Sequence, residues 1–176
     1  MGSLLNHPLF KLIRGEHLSL FEMATAPTES LSISELSKKM TEHHHNEEQY
    51  LFSLLNTKAR VCEGGPMCTY FFDAHITSPP LKIAEDLTKI APIIPHSMNE
   101  FWTNKSPLRI PSSEHIALKH ILEFSLGENL QKNFNTFQEI LRNNIKKEEE
   151  CLFHICSRLL TKTELDTLYD SWRGSS

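Results

Sequence analysis

The residues best suited to chemistry lie in the run His43-His44-His45-Asn46-Glu47-Glu48-Gln49-Tyr50-Leu51-Phe52, where imidazoles and carboxylates recur four apart. Residues at that spacing share one face of a helix. Around the run the apolar positions Leu36, Met40, Leu51 and Leu54 recur at steps of three and four, and His43 and Glu47 fill the gap in that stripe. Two ionisable groups therefore point where a core is expected. An unpaired charge buried there costs several kcal/mol or more, so the pair calls for a compensating charge, a hydrogen-bond network or a metal ion. Neutral imidazole and carboxylate oxygen together suit a first-row transition metal. His44 and Glu48, also four apart, compete for the same role. The stripe favours His43 with Glu47 and leaves His45 on the surface.

The elements that must hold these groups are helical. A first pattern runs from about Pro8 to Ala24, with Phe10, Ile13, His17, Leu20 and Ala24 on one face. The stretch from Ala26 to Ser30 breaks it, and Ser32 or Ser34 can cap a second helix reaching about Asn56. His17 and His43 each lie about 13 residues from that turn, so at ~1.5 Å per residue two antiparallel helices bring them to similar depth. Glu63-Gly64-Gly65-Pro66 forms a tight loop. From 67 to 111 the chain reads as a partly helical insertion, broken by Pro79, Pro80, Pro92, Pro95 and Pro107 and packed through Tyr70, Phe71, Phe72, Phe101 and Trp102. A third helix starts near Pro111-Ser112-Ser113-Glu114, with His115, Leu118, Leu122 and Leu126 on one face. After a turn at Gly127, a long fourth helix runs to about Leu160 with Phe137, Leu141, Asn144, Glu148, Leu152, Ile155 and Leu159 in its stripe. Thr161 caps a short last helix through Trp172.

The second and fourth helices overlay: HHHNEEQYLF at 43–52 superposes on NIKKEEECLF at 144–153, with Glu47 over Glu148, His43 over Asn144, and Leu-Phe over Leu-Phe. This duplicated His-x-x-x-Glu pattern, the tail ECLFHICSRLLTKTELDTL and the Gly-Gly-Pro loop resemble the hemerythrin-like (HHE cation-binding) proteins over residues 5–66 and 112–172. The resemblance implies an all-α fold, an up-down-up-down four-helix bundle with the 67–111 insertion between its second and third helices and a short C-terminal helix. It also implies two non-haem iron ions, or one, held by His17, His43, Glu47, His115 and Glu148, with O2, NO or a peroxide as the small ligand. Asn144 departs from the family pattern, which places histidine there. That leaves the His43 side as the stronger metal position and the Asn144 side as the more labile one. His75 is an alternate to His115 on the third helix. Binding or sensing of the small ligand, or handling of iron, is the implied role; a peroxidase-like or NO-reducing enzyme and a metal-depleted interaction module are its rivals.

Composition sets the frame around this site. At 176 residues the chain suits a single domain over residues 1–176, enough to bury roughly two-thirds of its unfolded surface. A formal charge of −4, from 18 basic and 22 acidic residues, carries no basic footprint for nucleic acid. No stretch approaches the ~18 apolar residues of a membrane span, and no signal-peptide pattern opens the chain, so a soluble cytoplasmic protein is expected. Cys62, Cys68, Cys151 and Cys156 are too scattered for a disulfide scaffold or a four-ligand zinc site. Ten histidines, spread from His7 to His154, are the compositional anomaly. Glu149 and Glu150 read as solvated partners of Lys146 and Lys147.

Overall fold

A computed structural model describes residues 4–26, 33–59, 108–125 and 130–175, and among these every regular element is helical. Residues 27–32 and 126–129, where turns are expected, the expected Gly-Gly-Pro loop, nearly all of the expected 67–111 insertion, and Cys62, Cys68 and His75 lie outside the described residues.

A short 3-10 turn, Leu4–Asn6, leads into α1, Pro8–Thr25. Pro8 needs no hydrogen-bonded amide at this position, and His7 caps the helix, its Nδ1 accepting from the Leu9 amide at 3.2 Å while Nε2 meets Asp166 at 3.0 Å. The second helix, α2, runs as Ile33–Asn46, passes through a π-helical turn at Glu47–Phe52, and resumes as Ser53–Ala59. It thus extends beyond the expected end at Asn56, and Ser34 lies inside its first turn rather than at the cap. Helix α3 comprises Arg109–His120 and a π turn Ile121–Ser125. It begins two residues before the expected Pro111, which its first turn accommodates. Helix α4 repeats the pattern of α2, with Leu130–Lys147, a π turn Glu148–Leu152 and Phe153–Leu159. Last comes α5, Lys162–Gly174, opened by the expected Thr161–Glu164 capping box, in which the Glu164 amide donates to Thr161 Oγ1 at 3.3 Å and the Thr161 amide donates to Glu164 Oε2 at 2.8 Å.

Helix α1 packs on α2, α4 and α5, and α3 packs on α2 and α4. The apolar core divides in two. One cluster takes Leu9, Phe10 and Ile13 from α1, Leu51, Phe52 and Leu55 from α2, Leu108 beside α3, Leu152, Phe153 and Cys156 from α4, and Leu165, Leu168 and Trp172 from α5. The other takes Leu20 and Ala24 from α1, Leu36 and Met40 from α2, Ala117, Leu118, Ile121 and Leu122 from α3, and Phe134, Phe137, Ile140 and Leu141 from α4. On each of the four helices the residues between the two clusters are polar and buried: His17; His43 and Glu47; Glu114 and His115; Asn144 and Glu148. A polar layer therefore crosses the interior between two apolar cores.

The overlay of the two halves extends into three dimensions. Leu36, Met40, His43, Glu47, Leu51 and Leu55 are all buried, and so are Phe137, Leu141, Asn144, Glu148, Leu152 and Cys156. Beyond the π turn of α2 the buried face advances one residue past the expectation: Leu55 rather than Leu54 is fully enclosed. A π turn carries more residues per turn than an α turn, so the downstream stripe shifts.

Candidate metal centre

The polar layer gathers the five residues named from the sequence. His17, His43, Glu47, His115 and Glu148 are each at most 3 % exposed. His17, His43, Glu47 and Glu148 offer one ligand atom apiece, all within 4.8 Å of one another. His17 Nε2 lies 3.2 Å from Glu148 Oε2 and 3.8 Å from Glu47 Oε1, and His43 Nε2 lies 3.5 Å from Glu47 Oε2. His115 approaches from α3, with Nε2 3.4 Å from Glu47 Oε2 and 3.3 Å from Glu148 Oε1. Glu47 and Glu148 both stand at the first residue of a π turn, where the backbone leaves α geometry, and such turns recur at functional sites.

Many of these inward atoms have no hydrogen-bond partner. His17 Nε2, both Glu47 oxygens and Glu148 Oε2 are buried and unsatisfied, although buried polar atoms are nearly always bonded. The opposite edges of the same imidazoles are held firmly. His17 Nδ1 pairs with Glu149 Oε1 at 2.9 Å, His43 Nδ1 with Glu16 Oε2 at 2.7 Å, and His115 Nδ1 with Glu48 Oε1 at 2.9 Å. Three carboxylates at the edge of the interior thus aim three Nε2 atoms at one place. Where a carboxylate accepts a hydrogen bond from Nδ1–H, the tautomer is fixed and the lone pair of Nε2 is left for a cation.

The outer carboxylates are the residues that sequence reasoning missed, and they correct two expectations. Glu149 is not a solvated partner of the neighbouring lysines: it binds His17 and approaches Arg14 at 3.6 Å. Glu48 does not join His44 as a rival ligand pair, because it reaches across to α3. His44 is nonetheless buried, stacked on His115 with ring centroids 3.7 Å apart and planes 4° from parallel. The signal that could have found these partners is adjacency: Glu16-His17, Glu47-Glu48 and Glu148-Glu149 each set an inward and an outward group side by side.

Electrostatics follows the geometry. Burial works against charge on His17, but contacts with Glu148, Glu149 and Glu47 raise its imidazole well above the usual range. Burial likewise opposes charge on His115, and Glu148 and Glu48 overcome it, holding that group up to about 10. Glu148, which burial would raise, is kept well below the ordinary carboxylate value by His115 and His17. For His44, burial and the neighbouring His115 and His43 charges push the imidazole well below its usual value and leave it neutral. Phe153 stacks on His17 at 6.1 Å and Phe52 on His115 at 5.6 Å, closing the layer on the side of the first apolar core.

At the position where the fourth helix was expected to carry histidine, Asn144 Nδ2 donates to Glu148 Oε1 at 2.8 Å and to Glu114 Oε2 at 3.4 Å. Glu114, 2 % exposed, receives Lys147 Nζ in a close ion pair. Burial raises the Glu114 carboxyl to about 7 despite that lysine. A cavity of about 430 Å3, lined in part by Met40, His44, Glu48, His115 and Ile116, opens beside the His115 edge of the layer. No helix among the described residues is long and apolar enough to cross a membrane. Compared with protein-family models, with curated proteins and with solved structures, the chain matches none.

Proposed function

We propose that this chain is a hemerythrin-like, non-haem iron-binding protein whose polar layer holds the metal and whose metal binds or senses O2, NO or a peroxide. The observation that carries the reading is that His17 Nε2, both Glu47 oxygens and Glu148 Oε2 are left unsatisfied in the interior while the Nδ1 atoms of His17, His43 and His115 are locked from outside. An up-down-up-down four-helix bundle is supported by the alternation of the two apolar clusters: α1 and α3 pass from the first to the second, and α2 and α4 return. A donor set of imidazoles and carboxylates suits iron among the N/O-binding metals.

In this reading His17, His43, Glu47 and Glu148 hold the ion, and His115 meets the carboxylates from the far side. Iron supplies one-electron chemistry toward small ligands when bound. The chain supplies the rest. Glu16, Glu48 and Glu149 orient the imidazoles, Phe52 and Phe153 exclude water from one side, and the cavity beside His115 and His44 gives a small molecule a way in. Because its walls include several ionisable groups, that approach is polar, which favours redox sensing or iron handling over reversible carriage in a dry pocket.

Anaerobic reconstitution with ferrous iron, followed by metal analysis and an optical spectrum, tests the proposal. Less than about half an iron per chain, with His17→Ala and Glu148→Ala changing nothing, overturns it. Loading is also expected to release protons. In the metal-free protein His17 and His115 have raised pKa values, so a cation must displace protons, and affinity falls as pH is lowered. A pH-stat titration that detects no release contradicts this.

A further inference from the structure

We infer that the layer is built for a single divalent cation, with the ammonium of Lys147 serving as the fixed counter-charge where a second ion would otherwise be needed. The inference rests on the preceding reading that His17, His43, Glu47 and Glu148 bind metal.

The donors are distributed unevenly. On the α1 and α2 side, two imidazoles and two carboxylates converge. Among the described residues, α3 and α4 contribute one imidazole to this layer, His115, on which His44 of α2 stacks, and the facing residue on α4 is Asn144. Its neighbours there are carboxylate oxygens of Glu148 and Glu114, which accept hydrogen bonds and cannot donate them. The carboxamide must therefore present its NH2 end to them. An NH2 group offers no lone pair to a cation, so this position stabilises the carboxylates instead of adding a ligand. Glu114, which could otherwise turn toward a second ion, is engaged by Lys147 and Asn144 together.

Charge gives an independent count. Glu47, Glu114 and Glu148 are 0, 2 and 1 % exposed and carry three negative charges when ionised. The side chain of Lys147, 11 % exposed, supplies one positive charge, and one divalent ion supplies two. Among the described residues this innermost set is then neutral. The outer carboxylates Glu16, Glu48 and Glu149, which hold the Nδ1 edges of neutral imidazoles, have 27, 47 and 30 % of the side chain exposed, so solvent screens their charge. A second divalent ion would bring this inner set to a net charge of +2, countered only by the screened outer carboxylates unless further anions enter. Lys147 thus does for Glu114 what a second metal would do, and does it without metal.

The test is the stoichiometry of the full chain titrated anaerobically with ferrous iron, read by metal analysis after gel filtration and by the number of phases in the calorimetric isotherm. The expected result is one ion per chain in the unaltered protein, one in Lys147→Arg, and a second binding phase in Lys147→Gln that strengthens in Asn144→His/Lys147→Gln. Two ions in the unaltered protein overturn the inference and leave the metal site standing. A single phase in both Lys147→Gln and the double variant, with helical circular dichroism unchanged, overturns the role of Lys147. No ion at all, with His17→Ala also without effect, removes the metal reading itself. Should the lysine variants fail to fold, the count in the unaltered protein still decides between one ion and two.

Discussion

Glu47→Gln is expected to abolish metal-dependent stabilisation while changing the stability of the metal-free protein by no more than about 1 kcal/mol. Neither oxygen of Glu47 has a hydrogen-bond partner, and its nearest nitrogens, on His115, His43 and His17, stand at 3.4, 3.5 and 3.8 Å, beyond a good hydrogen bond. Glutamine keeps the shape and one acceptor oxygen, so little is lost without metal. With metal the balance reverses. An ion bound only to the folded state stabilises it by about 2.7 kcal/mol at a concentration one hundred times its Kd, and the variant loses that increment together with a ligand that touches His17, His43 and His115. Paired thermal melts with chelator and with ferrous iron measure both halves. Equal melting temperatures for the two proteins in iron, or a collapse of the variant in chelator, would contradict the assignment of Glu47 as a ligand held in readiness.

The second large effect lies far from the layer in sequence. Trp172 on α5 is fully buried, and its indole Nε1 donates to Glu16 Oε1 at 2.9 Å, while Glu16 Oε2 takes the Nδ1 edge of His43 at 2.7 Å. The C-terminal helix thereby reaches His43 of the candidate metal centre through two hydrogen bonds. Trp172→Ala should cost about 3–5 kcal/mol through the cavity it leaves. Trp172→Phe separates packing from positioning: it keeps most of the ring volume but frees Glu16, and loss of a hydrogen bond to a charged group costs about 1.5–3 kcal/mol. With Glu16 released, His43 loses its orientation, and metal affinity should drop 10- to 100-fold, the range typical when such outer partners are removed. Isothermal titration of the phenylalanine variant would reveal this. Unchanged affinity beside reduced stability would confine Trp172 to packing.

Much of the inward-facing site was legible because its signal is periodic. His17 lies on the apolar face of α1, and His43 with Glu47 on that of α2, and a polar residue in an apolar stripe is visible without knowledge of what it faces. The overlay of 43–52 on 144–153 then selected Glu148 and exposed Asn144. The outward half was not legible, for a physical reason. Adjacency to an inward residue marks Glu16, Glu48 and Glu149 as candidates, but which carboxylate meets which Nδ1 depends on how one helix is rotated against another, and the lysines near Glu149 offer it a competing partner. The Lys147–Glu114 pair joins α4 to α3 across 33 residues of sequence and was hidden in the same way. Helix ends were legible where chemistry marks them, as at Thr161 with Glu164, and less so at α3, which begins without a side-chain cap.

The π turns at Glu47–Phe52 and Glu148–Leu152 alter how the chain tolerates change in length. From Met40 or Leu141 inward, the buried positions follow steps of three, four, four and four. In a 3.6-residue helix each step of four overshoots one turn by about 40°. Three such steps in a row would carry Leu55 and Cys156 away from the core if the wider turns did not absorb the excess. Loops are ordinarily the places where residues can be gained or lost, and helix middles are not. Here the helix middles carry the slack. Deleting Gln49 would let α2 revert to regular winding, in which Leu55 follows Glu47 by seven residues and stays on the core face. Loss of one residue at 49 or 150 should therefore be better tolerated than loss of one residue elsewhere in the same helix middles, a difference that protease sensitivity of the single-residue deletions would register.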